Sequence, residues 1–119
     1  MKIISPKFHA VLDYILVMLS LISPDLFGLS SSASTLAYLL GIGYFILTIC
    51  TKFSGGIFKI IDLKIHGFIE LVVSIILIIL AFTVFKGNIV DEMFYACFGI
   101  LLFIIFSLTD YKRSLPVIL

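Results

Sequence analysis

Charged residues are so rare in this chain that their absence marks out its elements. There is none from Leu26 to Thr51, from Leu71 to Phe85, or from Met93 to Thr109, and the stretch from Phe8 to Ser23 is as apolar apart from His9 and Asp13. Crossing the hydrocarbon of a bilayer takes about 20 apolar residues in a helix, with roughly 17 as the lower limit. Segments near 8–25, 33–51, 65–85 and 92–109 meet that length, the first and last narrowly. In lipid each backbone N–H and C=O needs a partner within its own segment, so all four are expected to be helices.

Short polar connections separate them. Ser23-Pro24-Asp25 is expected to stop the first helix, because proline lacks the N–H and crowds the preceding turn. Ser30-Ser31-Ser32 reads as a turn, with Ser34 or Thr35 as the cap of the second helix. Ser54-Gly55-Gly56 breaks the chain after it. Ile57 to Lys64, charged at positions 59, 62 and 64, reads as a short segment lying in the membrane interface. Lys86-Gly87-Asn88 ends the third helix, Gly87 or Asn88 being suited to a left-handed cap. Lys2, Lys7, Lys52, Lys59, Lys64, Lys112 and Arg113 fall on one side of this topology and only Lys86 on the other. That positive-inside bias puts both termini in the cytoplasm.

Composition removes the alternatives. Of the 119 residues, 62% are hydrophobic and 13% charged, and the mean hydropathy is +1.31. A soluble domain carries about 25% charged residues, and a chain this short has no interior large enough to hide so much apolar surface. The expected surroundings are the lipid bilayer of a bacterial plasma (inner) membrane. Residues 1–119 then form a single transmembrane domain with no room for a soluble catalytic module. The net charge of +1 gives no reason to expect nucleic acid as a partner. Cys50 and Cys97 have neither CxxC nor finger spacing and fall at opposite depths, so they read as small hydrophobes and not as a disulfide. A basic start before an apolar run loosely fits a cleaved signal, but an acid in the middle of that run does not.

The chain also repeats itself. Lys7-Phe8-His9-Ala10-Val11-Leu12-Asp13 returns as Lys64-Ile65-His66-Gly67-Phe68-Ile69-Glu70, 57 positions on, and Gly41 to Thr51 returns as Gly99 to Thr109, 58 positions on. Two motifs in the same order at nearly one offset point to duplication of a two-helix unit. Repeat one covers about 7–56 and repeat two about 64–113. An even number of spans per unit inserts both copies the same way up, with a pseudo-two-fold axis along the membrane normal.

Pro6-Lys7-Phe8-His9, Asp13-Tyr14 and Ser23-Pro24-Asp25-Leu26-Phe27-Gly28, with His66 and Glu70 in the second unit, carry a resemblance to the SPW-repeat membrane proteins. The likeness covers nearly the whole chain. It departs at Asp25, which stands where the family's name-giving Trp would be, and at Ala81-Phe82-Thr83 in the second unit. The resemblance implies a multi-pass architecture and brings no function with it.

One constellation can carry chemistry. His9 and Asp13, four apart, share a helix face, as do His66 and Glu70. The repeat places both pairs at one depth, facing each other across the bundle. Acids inside a span are costly and normally face the bundle interior with a partner. Three readings stay open: buried histidine–acid hydrogen bonds that pin the helices together, a site for a transition metal such as Zn, Fe or Mn, or a group that takes up and releases a proton.

Other features weigh less. Gly41-x-Gly43 reads as close helix packing. Tyr14, Tyr38, Tyr95 and Tyr111 read as interfacial belt residues. Ser20, Ser23, Thr48, Ser74 and Ser107 are expected to bond their own helix backbones, and Lys7 and Lys64 to snorkel to lipid phosphates.

The sequence therefore predicts an all-α integral membrane four-helix bundle made of two tandem two-helix repeats in the same orientation, with both termini cytoplasmic. Its buried His9, Asp13, His66 and Glu70 are structural or hold a metal ion or proton. The alternative is a proton-coupled small-molecule transporter acting as an oligomer. Expected partners are the bilayer and a homo-oligomer or membrane partner subunit. No nucleophile–base pair or cofactor motif supports an enzyme.

Overall fold

The computed structural model describes residues 2–53 and 55–111; the expected turn residue Ser54 and the basic pair Lys112 and Arg113 lie outside them. Four helices follow in order: α1 (Pro6–Phe27), α2 (Ser31–Ile49), α3 (Leu63–Phe82) and α4 (Ile89–Leu108). All four are long and apolar enough to cross a membrane. At a rise of 1.5 Å per residue, 19 to 22 residues reach about 28–33 Å, which matches the hydrocarbon thickness.

The helix ends differ from the sequence reading in four places. Ser23-Pro24 does not stop α1, which runs three residues past the proline to Phe27. Pro24 has no N–H for the Ser20 carbonyl, but the Ser23 hydroxyl donates to that carbonyl at 2.8 Å and replaces the missing bond. The stop comes at Gly28, whose φ of 68° gives the left-handed cap that a side chain would resist. At α2 the cap is Ser30, not Ser34 or Thr35, and its hydroxyl accepts from the Ala33 N–H at 3.3 Å. α3 ends at Phe82, short of Phe85. Asn88 caps the start of α4, accepting from the N–H groups of Val90 and Asp91, instead of closing α3.

Polarity is arranged inside out. His9, Asp13, Ser20, Ser23, Thr48, Thr51, His66, Glu70, Ser74, Asp91 and Thr109 are all buried, whereas Ile15, Met18, Leu39, Ile42, Phe68, Ile79 and Phe103 are exposed. A water-soluble domain does the reverse. Lipid solvates the outer leucines and isoleucines but offers nothing to a hydroxyl or carboxylate, so those groups turn inward. This distribution, with the four long apolar helices, makes the chain a small multi-pass membrane protein.

α1 packs on α2 and α3 on α4, as two hairpins. Leu16, Val17, Ala33, Ala37, Leu77, Ala81, Phe98 and Leu102 belong to the shared core. Gly41 admits Leu21 of α1, since a Cβ there would lie 2.6 Å from it; Gly43 faces open space and makes no such contact. Polar bonds tie the hairpins together at both ends. Near the chain's N-terminal end, the Ile4 N–H donates to Leu108 O and the Asp110 N–H to Ile4 O, each at 2.9 Å. The same pair of bonds joins Lys52 N to Ile61 O at 2.7 Å and Ile61 N to Cys50 O at 2.8 Å. At the far end Asp91 accepts from the Ser30 N–H at 2.9 Å and from its hydroxyl at 2.5 Å, and the Tyr95 hydroxyl donates to Ala33 O at 2.6 Å. Tyr95 is fully buried and so belongs to the core, not to an interfacial belt.

Candidate functional site

Each of the two first-turn histidines is delivered by its helix start. Ser5 caps α1, accepting from Phe8 N, with Pro6 already at the helical φ, and Asp62 precedes α3. The His9 N–H then bonds Ser5 O and the His66 N–H bonds Asp62 O. Asp13 and Glu70 follow one turn later on the same faces. Glycine at 67 lets the Tyr111 ring lie against the helix backbone; a Cβ would sit 2.7 Å from that ring, which would have to shift.

All four predicted residues meet at one point. His9, Asp13, His66 and Glu70 are each at most 2% exposed, and one ligand-type atom from each lies within 4.8 Å of all the others. His9 Nε2 is 3.2 Å from Asp13 Oδ1 and 3.0 Å from Glu70 Oε2. His66 Nε2 is 2.9 Å from Asp13 Oδ2 and 3.3 Å from Glu70 Oε2.

Residues not singled out from the sequence complete the site. Thr109 Oγ1 lies 2.7 Å from His9 Nδ1, and Thr51 Oγ1 lies 2.7 Å from His66 Nδ1. Each threonine hydroxyl already donates at 2.6 Å to the carbonyl four residues back, Ile105 and Leu47 respectively. With its hydrogen spent there, each oxygen accepts from Nδ1–H. The network thereby assigns the tautomer of both rings, and both Nε2 atoms face the centre. Tyr44 of α2 donates its single hydroxyl hydrogen toward Asp13 Oδ1 at 2.8 Å and, still closer, toward Glu70 Oε2. Tyr111 reaches Glu70 Oε1 at 3.3 Å. Burial, with the Glu70 carboxylate beside it, pushes the Tyr111 phenol well above its ordinary range, so it stays a donor.

Aromatic rings wall off the histidines: Phe53 is fully buried, 5.5 Å from His66 and 6.3 Å from His9 between ring centres. Tyr111 stands 5.8 Å from His9. Beside the site, a groove of about 240 Å³ runs past Gly43, Tyr44, Leu47, Ile69, Glu70 and Val73.

With both histidines neutral, the centre lacks two positive charges. Two Nε2 atoms and two carboxylates converge, all of them acceptors unless a proton or cation lies between. If each Nε2 carries a hydrogen, both hydrogens aim at one oxygen, Glu70 Oε2. Asp13 Oδ2 then accepts no hydrogen bond although it is buried. The 2.9 Å approach of His66 Nε2 to that oxygen is an ion-pair distance without hydrogen-bond direction. A buried carboxylate oxygen left this way costs more than an ordinary unmade bond.

The wider search for likeness is negative: no protein-family model, no curated protein and no solved structure matches this chain.

Proposed function

We propose that this protein is a cation-binding membrane protein whose working part is a divalent-metal site inside the bundle, formed by His9, Asp13, His66 and Glu70. The observation that carries this reading is the buried Asp13 Oδ2, which accepts no hydrogen bond, amid two inward-facing imidazole nitrogens and a second carboxylate. Two neutral histidines and two carboxylates carry a charge of minus two, which a divalent cation cancels. Placed among the four atoms, it serves all of them at once, including the oxygen that hydrogen bonds leave out.

Two tandem repeats explain the shape of the site. Each hairpin supplies one histidine and one acid, and each histidine leans on the threonine that ends the other hairpin. The paired backbone bonds around Ile4 and Ile61 obey the same 57- and 58-residue offsets as the sequence motifs. At the position matching Tyr44 the second unit has Leu102, and at the position matching Tyr111 the first has Phe53, so these two hydroxyls break the symmetry of the site. We place this protein with the SPW-repeat type, in a bacterial plasma membrane with both termini cytoplasmic.

Elemental analysis tests the reading directly. Protein purified in mild detergent, stripped with a chelator and reloaded, is expected to retain zinc or another divalent ion in equimolar amount. Asp13→Asn and Glu70→Gln should each lose it while keeping their helical circular dichroism. Wild type retaining no more ion than the D13N/E70Q double variant would refute the proposal.

A further inference from the structure

Resting on the reading of this centre as a divalent-cation site, we infer that it is built for a four-coordinate zinc-type ion with no open position. Thr51 and Thr109 act as positioning residues that aim the two histidines at it.

The donor set speaks first. Two imidazole nitrogens favour late first-row metals over magnesium or calcium, which take oxygen ligands almost alone. The spacing agrees. With zinc–nitrogen bonds of about 2.0–2.1 Å and zinc–oxygen bonds of similar length, the edge of a ligand tetrahedron is about 3.3 Å. Glu70 Oε2 lies 3.0 and 3.3 Å from the two Nε2 atoms, while Asp13 meets His9 with Oδ1 at 3.2 Å and His66 with Oδ2 at 2.9 Å, so a turn of the Asp13 carboxylate that brings one oxygen to both nitrogens would seat the ion.

Among the described residues no further histidine, cysteine or carboxylate joins the cluster. The four residues are at most 2% exposed, and Tyr44, Phe53 and Tyr111 line the approach. The adjoining groove is lined almost wholly by apolar side chains, which give the several waters of a six-coordinate ion few polar partners. Zinc sites closed in this way hold structure and do not activate water. The metal would therefore clasp the two hairpins, taking His9 and Asp13 from one and His66 and Glu70 from the other.

The outer groups follow the same logic. Metal-bound histidines almost always donate their second N–H to a fixed acceptor, which sets the ring's tautomer and aim. Thr51 and Thr109 are those acceptors, each fixed in turn by a helix carbonyl. Losing such a partner weakens metal binding about 10–100-fold.

Cobalt(II) replacing the native ion reads out the geometry, since four-coordinate cobalt absorbs visible light far more strongly than six-coordinate cobalt. Wild-type protein, stripped and titrated with cobalt and then zinc, should develop the intense four-coordinate bands and lose them as zinc displaces cobalt. Thr51→Val and Thr109→Val should keep the band shape but bind cobalt about 10–100-fold more weakly. Thr51→Ser and Thr109→Ser, which keep the hydroxyl, should restore affinity. Thr35→Val, on the exposed face of α2, should change nothing.

Stoichiometric cobalt with only weak, six-coordinate absorption would overturn the closed geometry while leaving the cation site standing. Full affinity in both valine variants would overturn the positioning role. Neither metal binding above the D13N/E70Q level would remove this inference and the proposed function together.

Discussion

Tyr44→Phe and Tyr95→Phe make a matched pair, because both remove one buried hydroxyl and leave the ring in place. The Tyr44 hydroxyl donates to carboxylates, the Tyr95 hydroxyl to the carbonyl of Ala33, and both rings are at most 6% exposed. A hydrogen bond to a charged acceptor contributes about 1.5–3 kcal/mol and a neutral one about 0.5–1.5 kcal/mol. Y44F should therefore cost about twice what Y95F costs. Hydrogen bonds measured within membranes average nearer about 0.6 kcal/mol, so the ordering decides, not the absolute size. The assay is reversible unfolding of purified protein in mixed micelles, followed by circular dichroism, for each variant alone and on the D13N/E70Q background. There the acceptors are neutral, and Y44F should fall to the Y95F level. If Y44F costs no more than Y95F in the wild type, or costs the same on both backgrounds, the two acids are not the charged acceptors described above.

Two further outcomes test the frame around the site. Asp91→Ala should destabilise the bundle by about 1.5–3 kcal/mol, since the carboxylate accepts from Ser30 N–H and Oγ across the hairpins. Glu92→Ala, on the same first turn of α4, should stay within about 0.5 kcal/mol in the same unfolding assay. Cysteines placed at Lys59 and Lys86 should react with a membrane-impermeant thiol reagent from opposite sides in intact cells, Lys86 from outside; labelling of both from one side would contradict the charge-based topology.

The sequence displayed its four helices because charge is almost absent within them and lipid permits no other backbone. It displayed the four central residues because a charged or imidazole group amid such apolar runs has few places to go. Helix ends were harder. Pro24 stops a helix in general, and only the Ser23 hydroxyl, aimed at one carbonyl, lets α1 continue. Tyr44, Thr51 and Thr109 were overlooked because tyrosine and threonine are unremarkable near a membrane surface. A signal existed: Tyr44 and Thr48 on α2 and Thr51 just past its end fall at i, i+4 and i+7, a polar stripe on an otherwise greasy segment. What one-dimensional spacing did not convey was that each threonine serves the histidine of the other hairpin.

That exchange of partners has a consequence for synthesis. His9 emerges early, but the oxygen that holds its Nδ1 belongs to Thr109, 100 positions later, and Glu70 arrives 61 positions later. At roughly 5–20 residues per second, α1 waits on the order of ten seconds with His9 and Asp13 matched only to each other. An acid stranded in a lone span costs up to about 2.5–3.5 kcal/mol at the centre and less toward the end where Asp13 lies. During that interval α1 is better held beside the insertion machinery than released into lipid. A chain cut short before Ile89 would be a three-helix product bearing an unsatisfied polar patch, a mark that distinguishes the unfinished chain from the finished one.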